Sequence, residues 1–387
     1  MKTSGFIVFL SIVLLVYLFI NLYIFRRAWQ AFSFPAVWRF FGLALLLMLM
    51  LAYPLGRFGE QLSRNGFTNF LVTVGSFYLG LMIYAFFMVA LIDLLRLGNH
   101  AIHFLPAALV QNPLKTARIT ALMVAGFTVI VVFVGHLNAL HPRVRQLQIQ
   151  IDKPAGELKE LNMVVASDIH LGTIIRNSRL VKIVEMINRL HPDIVLLPGD
   201  VFDEDVAPVA EQNIAEILEK IHSRYGVYAI TGNHEYYGGV QSAVSYMKQA
   251  RITVLQDSAV KIADSFYLIG RNDLTARQMG LSRKPLPEIL AGTDRRLPLI
   301  LMDHQPFHLE VAQQNGIDLQ LSGHTHHGQM FPFNLITNRV YEKSWGYLRR
   351  GKTQYYISCG VGTWGPPVRL GNRPEIVHIR LRFAETE

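Results

Sequence analysis

Apolar residues along this chain fall into two regimes. Up to about residue 141 they come as long runs free of Asp, Glu, Lys and Arg, at 5–25 (GFIVFLSIVLLVYLFINLYIF), 40–56, 65–92 and 119–140. A hydrocarbon core about 30 Å thick takes roughly 20 helical residues, and these runs therefore predict four membrane-spanning helices in a membrane domain over 1–141. A cleaved leader would account for the first run alone. No small-residue cleavage site follows it, and three further runs do. Four spans would put the N-terminus and everything after His141 on one side of the bilayer.

Beyond Pro142 the apolar runs shorten to strand length: NMVVAS (162–167), DIVLLP (193–198), GVYAIT (226–231), LPLILMD (297–303) and IDLQLS (317–322). Helix-periodic segments lie between them, such as 178–190, with Leu180, Ile183, Val184, Ile187 and Leu190 on one stripe. Short apolar strands alternating with amphipathic helices predict a layered α/β domain over 142–387, its sheets covered by helices. The segment joining the two regimes is short, from Pro142 to Leu161, and QLQIQI (146–151) within it also reads as strand.

Composition sharpens this picture at two points. The formal net charge is +9, but residues 1–141 carry nine basic and two acidic side chains, leaving 28 against 26 for the rest. The positive charge is therefore mostly juxtamembrane. No Lys/Arg run with interleaved aromatics follows, which argues against a nucleic-acid partner. Arg26 and Arg27 follow the first run and only Lys2 precedes it. That bias leans toward a multi-pass protein of the cell (inner) membrane with the C-terminal domain outside the cytoplasm. The single cysteine, Cys359, excludes an internal disulfide.

The chemistry sits at the ends of the short strands. SDIHLG follows the first, GDVFDE the second, GNHEYY the third, DHQP the fourth and GHTHHG the fifth. Open α/β sheets gather ligands at the carboxyl ends of their strands, so these five loops are expected to converge. They carry Asp168, His170, Asp200, Asn233, His234, His304, His324 and His326. Imidazole suits zinc, iron and their neighbours, while carboxylate suits harder ions such as manganese. With His234 set aside for catalysis, the remaining seven ligands are enough for two divalent ions. Two such ions about 3.5–4 Å apart lower the pKa of water and stabilise both the attacking and the leaving oxygen of an in-line displacement at phosphorus. An extended GHTHHG would point His324 and His326 to one side and His327 to the other, leaving His327 a supporting or substrate-facing role.

In order and spacing, D-x-H, G-D-x-x-D, G-N-H-E, a strand-terminal H and G-H-T-H resemble the motifs of the calcineurin-like metallophosphoesterases, over about residues 145–387. The stretch CGVGTWGPPVRLGNRPEI (359–376) is similar to that of their bacterial, membrane-attached subgroup. The resemblance implies a two-sheet α/β sandwich with a dinuclear metal centre following the four-helix region. It implies that Asp168, His170 and His326 hold one metal ion (manganese, iron or zinc), that Asn233, His304 and His324 hold the second, and that Asp200 bridges them. His234 would be the catalytic histidine, supported by Asp203. IGRND (269–273) departs from the doubled acid of the pattern, which leaves Asp273 without a role.

Arg369 and Arg373, in the Gly/Pro-rich loop, are candidates for bidentate contact with phosphate oxygens. The reading is thus an integral-membrane phosphohydrolase acting on phosphate esters or pyrophosphates, including lipid-linked ones. The alternative is a membrane sensor or scaffold with a silent domain, which would be expected to have lost some of the eight positions. The run MFPFNLI (330–336), directly after the histidines, is expected either to pack as core or to reach the membrane interface.

Overall fold

The computed structural model describes residues 3–32 and 34–385. The chain divides into two units, one comprising Met1–Leu137 with Gly365–Val368 and the other Asn138–Trp364 with Arg369–Glu387.

The first unit is built on α1 (Thr3–Ala31), α2 (Ala36–Leu62), α3 (Gly66–Ile102) and α4 (Pro113–Ala139). All four are long and apolar enough to cross a membrane. Small residues let two of them approach closely: a Cβ on Gly56 of α2 would lie 2.7 Å from the Val72 backbone nitrogen of α3. Asn65 starts α3 as its cap, accepting hydrogen bonds from the backbone N–H groups of Phe67 and Thr68. That satisfies two donors a helix start leaves open. Asp93 is matched by Arg27, 2.6 Å away, and by the Tyr23 hydroxyl. An acid at a span's end thus keeps a partner.

The second unit carries two six-stranded mixed sheets. One runs in the order β1 (Arg143–Pro154), β12 (Glu375–Ala384), β2 (Glu160–Val165), β3 (Ile194–Pro198), β4 (Val227–Ile230), β5 (Thr253–Val254). The other runs β10 (Gly346–Arg350), β11 (Thr353–Ile357), β9 (Leu319–Ser322), β8 (Leu299–Met302), β7 (Phe266–Gly270), β6 (Ser258–Ile262). Met163, Val165 and Leu196 of the first meet Leu268, Ile300, Met302, Leu321 and Tyr356 of the second in one apolar layer. A continuous apolar strand is buried on both faces, which is why β3 and β8 show no polar alternation; β9 is equally buried although it alternates Leu319, Gln320, Leu321 and Ser322. On β1, by contrast, Ile149 and Ile151 are buried while Gln148 and Gln150 face out.

Helix α5 (Asn177–Asn188) covers the outer face of the first sheet through Leu180, Ile183, Val184 and Ile187, the stripe its periodicity predicts. Burying each such side chain is worth roughly 1.5–3 kcal/mol. Two short helices matter for the site, α6 (Asn233–Gly238) directly after β4 and α7 (Phe333–Val340) after the histidine cluster. The five strands whose ends carry the motifs are β2, β3 and β4 of one sheet and β8 and β9 of the other. The sandwich therefore presents both sheets' carboxyl edges to a single place.

Candidate metal centre

The loops after β2, β3, β4, β8 and β9 do converge. Asp168, His170 and His326 form one group, and Asp200, His304 and His324 a second, with ligand atoms inside each group within 4.8 Å of one another. Asn233 joins the second group: its Oδ1 lies 2.8 Å from His324 Nδ1 and 3.2 Å from His304 Nε2. Asp200 faces both. Its Oδ2 lies 3.1 Å from His304 Nε2 and 3.9 Å from His170 Nε2. Beside the first group, Asp203 Oδ1 stands 3.5 Å from His234 Nδ1 and 3.8 Å from His170 Nδ1.

The local route to this geometry differs from the extended strand ends expected above. Asp168, His170, Asp200, His324 and His326 all adopt positive φ, between 46° and 69°, and residues 326–328 form a 3₁₀ turn. His324 and His326 are not aligned by strand alternation. The chain curls at each, and the curl sends the two imidazoles to different groups. Buried polar contacts hold these conformations, as in the 2.7 Å hydrogen bond from His324 N–H to Asp168 Oδ1. His234 lies in the first turn of α6. The first turn of that helix directs Asn233 and His234 to different neighbours.

Two glycines permit the close approach. A Cβ on Gly232 would run into Asp200 Oδ1 and stand 2.8 Å from His304 Nε2, and one on Gly199, whose φ is 90°, would stand 2.5 Å from His304 Nδ1. Glu235, which the motif includes but sequence reasoning left without a role, ties the loops together. Its buried carboxylate accepts from the backbone N–H groups of Asp200, Phe202 and Gly232. The signal for it was its place three residues after Gly232, where a helix-start acid reaches back to the cap.

The donor set fits divalent cations. Burial, with His234 adjacent, lowers His170 to about 3, and burial, with His304 adjacent, lowers His324 to about 3. Burial, His170 and Arg369 drive His326 well below its ordinary value. These three imidazoles are therefore held neutral, the form that offers a metal ion its lone pair. His170 and His326 point their Nε2 atoms at each other across 3.0 Å, an approach that a shared proton or a cation stabilises. His304 is different: burial opposes its charge, but Asp200 outweighs burial and raises it well above the ordinary value. Its Nδ1 donates to the Pro198 carbonyl at 2.8 Å, which leaves Nε2 for the cluster. Burial pushes Asp168 up to about 6. Burial opposes the charge of Asp200 as well, but the surrounding histidines, His304 foremost, hold it well below the carboxylate range.

Arg369 is not aimed at a phosphate. Its side chain is fully buried and donates to the carbonyls of Cys359, Gly360, Gly362 and His326, to Asn372 Oδ1 and to His326 Nδ1. These bonds occupy the guanidinium and make it a support for His326 and the 359–372 loop, in place of the substrate contact expected above. Arg373, on the same loop, is exposed. Asp273 accepts from Gln305 and caps Thr275 N, which gives it a structural use. His327 Nδ1 lies 2.9 Å from Ser344 Oγ, outside both groups. Two half-exposed rings, Tyr237 and Trp364, stand edge-on to His234 with centroids 6.0 and 5.9 Å away.

Known proteins resemble this chain over the segment that carries these motifs. The family model for calcineurin-like phosphoesterase matches residues 161–328. A Helicobacter pylori protein described as an uncharacterized metallophosphoesterase is 34% identical over 62% of this chain and 64% of its own length. A Danio rerio transmembrane protein with metallophosphoesterase domain is 34% identical over 66% of this chain and 61% of its own. An uncharacterized metallophosphoesterase of Aquifex aeolicus is 31% identical over 64% of this chain and 95% of its own. The chain thus spans a little under two thirds of the first two relatives and nearly all of the third. Long apolar helices and a transmembrane relative together make this a membrane protein.

Proposed function

We propose, from the premise that this chain belongs to the calcineurin-like phosphoesterase family, that it is a membrane-bound phosphohydrolase. In this reading a membrane domain over 1–141 carries a catalytic domain over 142–387, which cleaves phosphate esters or pyrophosphates at a dinuclear centre. One observation carries it: a single oxygen of Asp200 faces both ligand groups, at 3.1 Å from His304 and 3.9 Å from His170. A bridging carboxylate offsets the repulsion between two cations. Asp168, His170 and His326 would hold one ion, and Asn233, His304 and His324 the other. When bound, such a pair supplies Lewis-acid charge that acidifies nearby water and offsets charge developing at phosphorus.

The chain's own residues do the rest. Asp203, facing His234 Nδ1, orients the imidazole and leaves Nε2 to give a proton to the departing oxygen. Arg373, exposed on the loop after β11, is the remaining candidate for a phosphate contact from solvent. Tyr237 and Trp364 flank His234 with apolar surface where the leaving group must lie. That setting favours an amphipathic leaving group, such as the lipid part of a lipid-linked phosphate. The bias of Arg26 and Arg27 over Lys2 supports a cell (inner) membrane protein with the catalytic domain outside the cytoplasm.

The test is a panel of phosphomonoesters, phosphodiesters and lipid-linked pyrophosphates on detergent-purified full-length protein, with manganese, iron and zinc supplied in turn. Metal-dependent turnover of at least one class is expected. Metal binding without turnover of any class would favour the silent sensor or scaffold.

A further inference from the structure

Helix α7 wears its apolar side chains on the outside. Of the run Met330–Ile336 only Met330 is buried. Phe331, Leu335, Ile336 and, one turn on, Val340 are each more than half exposed, while Asn334 and Thr337 are partly covered. A helix on a soluble surface shows the reverse arrangement. Ile336 and Val340 are four residues apart, as are Leu335 and Arg339, so the exposed apolar groups share one side with a cation at its end. Core packing, one of the two readings of this run, holds for Met330 and not for Phe331, Leu335 or Ile336.

Charge identifies what the face meets. Residues 331–352 hold five basic side chains (Arg339, Lys343, Arg349, Arg350, Lys352) and one acid, Glu342, which Arg350 holds at 2.7 Å. Of the 28 basic and 26 acidic residues after His141, that leaves 23 basic and 25 acidic elsewhere. The domain's positive excess thus lies in the stretch that carries its exposed apolar helix. A second copy of this surface would bring like charge against like. A bilayer with anionic headgroups satisfies both the apolar face and the basic flank.

We infer that α7 is an interfacial helix, lying in the headgroup region of an anionic bilayer with Leu335, Ile336 and Val340 toward the acyl chains. The inference rests on the membrane attachment of the chain and not on its hydrolase activity. Its position matters to the site all the same. Tyr341, which follows α7, stands edge-on to His324 at 6.2 Å, and Ser344 links Asn338 of the helix to His327. The residue that follows this surface is thus in ring contact with His324 of the second ligand group.

The experiment uses the full chain in nanodiscs containing phosphatidylglycerol. Because Cys359 is buried, a fluorophore can be attached selectively at Ile336→Cys, at Leu335→Cys in a second sample, and at Val181→Cys on α5 as an exposed control. Brominated acyl chains are expected to quench the labels at 335 and 336 at least roughly threefold more than the label at 181, as for helices seated in the interface. Arg339→Glu with Lys343→Glu is expected to reduce that difference. Quenching at 335 and 336 no greater than at 181 would overturn the inference, whether iodide then finds those labels in water or shielded by another protein. Neither readout depends on turnover, so an inactive enzyme could still pass and an active one could still fail.

Discussion

His234 Nδ1 lies 3.5 Å from Asp203 Oδ1, a buried pair in which the acid comes from the loop after β3 and the imidazole from the first turn of α6. The pair stands beside the two ligand groups without belonging to the donors placed in either. A histidine so placed can move a proton while the neighbouring side chains hold cations.

Replacing His234 by alanine should therefore separate the two tasks. Metal content should stay at the wild-type level while kcat falls roughly 10²- to 10⁴-fold, the usual worth of a general acid. Asp203→Asn should fall less far, since the imidazole remains and only its orientation loosens. Parallel elemental analysis and steady-state kinetics check both, and unchanged kcat in His234→Ala would refute the assignment.

Asp200→Ala removes the carboxylate whose Oδ2 faces a histidine of each group. Reconstituted wild-type protein should approach two ions per chain, and the variant should lose activity together with most of its metal. Full activity in wild-type protein at one ion per chain would contradict the bridging role.

Gly232→Ala tests the crowding around Asp200 without touching a ligand. The new Cβ would collide with Asp200 Oδ1 and press on His304, displacing one or both. Metal affinity should drop at least roughly tenfold, a cost of about 1.4 kcal/mol, while the far side of the domain stays folded. Titration calorimetry with manganese, alongside circular dichroism, distinguishes this from general unfolding.

Arg369→Met should behave as a loss of structure rather than of substrate contact. It leaves several buried carbonyls without their donor, and unpaired buried groups cost roughly 1–3 kcal/mol each. The melting temperature should fall by several degrees, while KM for small soluble esters in the folded fraction changes little. A large rise in KM at unchanged melting temperature would return Arg369 to the substrate.

If the substrate is lipid-linked, full-length protein should turn over bilayer-embedded substrates with much higher kcat/KM than soluble analogues bearing the same headgroup. Removing 1–141 should abolish that advantage. Equal efficiency on both classes in the intact chain would reduce the helices to an anchor.

The sequence by itself determined a good deal of this protein. Uninterrupted apolar runs marked the four long helices because hydrocarbon tolerates few charges. The strand-length runs marked β2, β3, β4, β8 and β9 because a buried sheet needs short apolar segments to form its core, and the motifs at their ends follow from where such sheets gather ligands. Only the tertiary structure decided how those side chains are aimed. Positive φ at Asp168, His170, Asp200, His324 and His326 is costly for residues with a side chain, so no local preference announces it; contacts with distant loops hold it in place. The same holds for Arg369, whose carbonyl partners come from loops that meet only when the chain is folded, and for α7, whose apolar residues read equally well as core. Periodicity records that a face is apolar, but which surface covers that face depends on what the rest of the fold leaves uncovered.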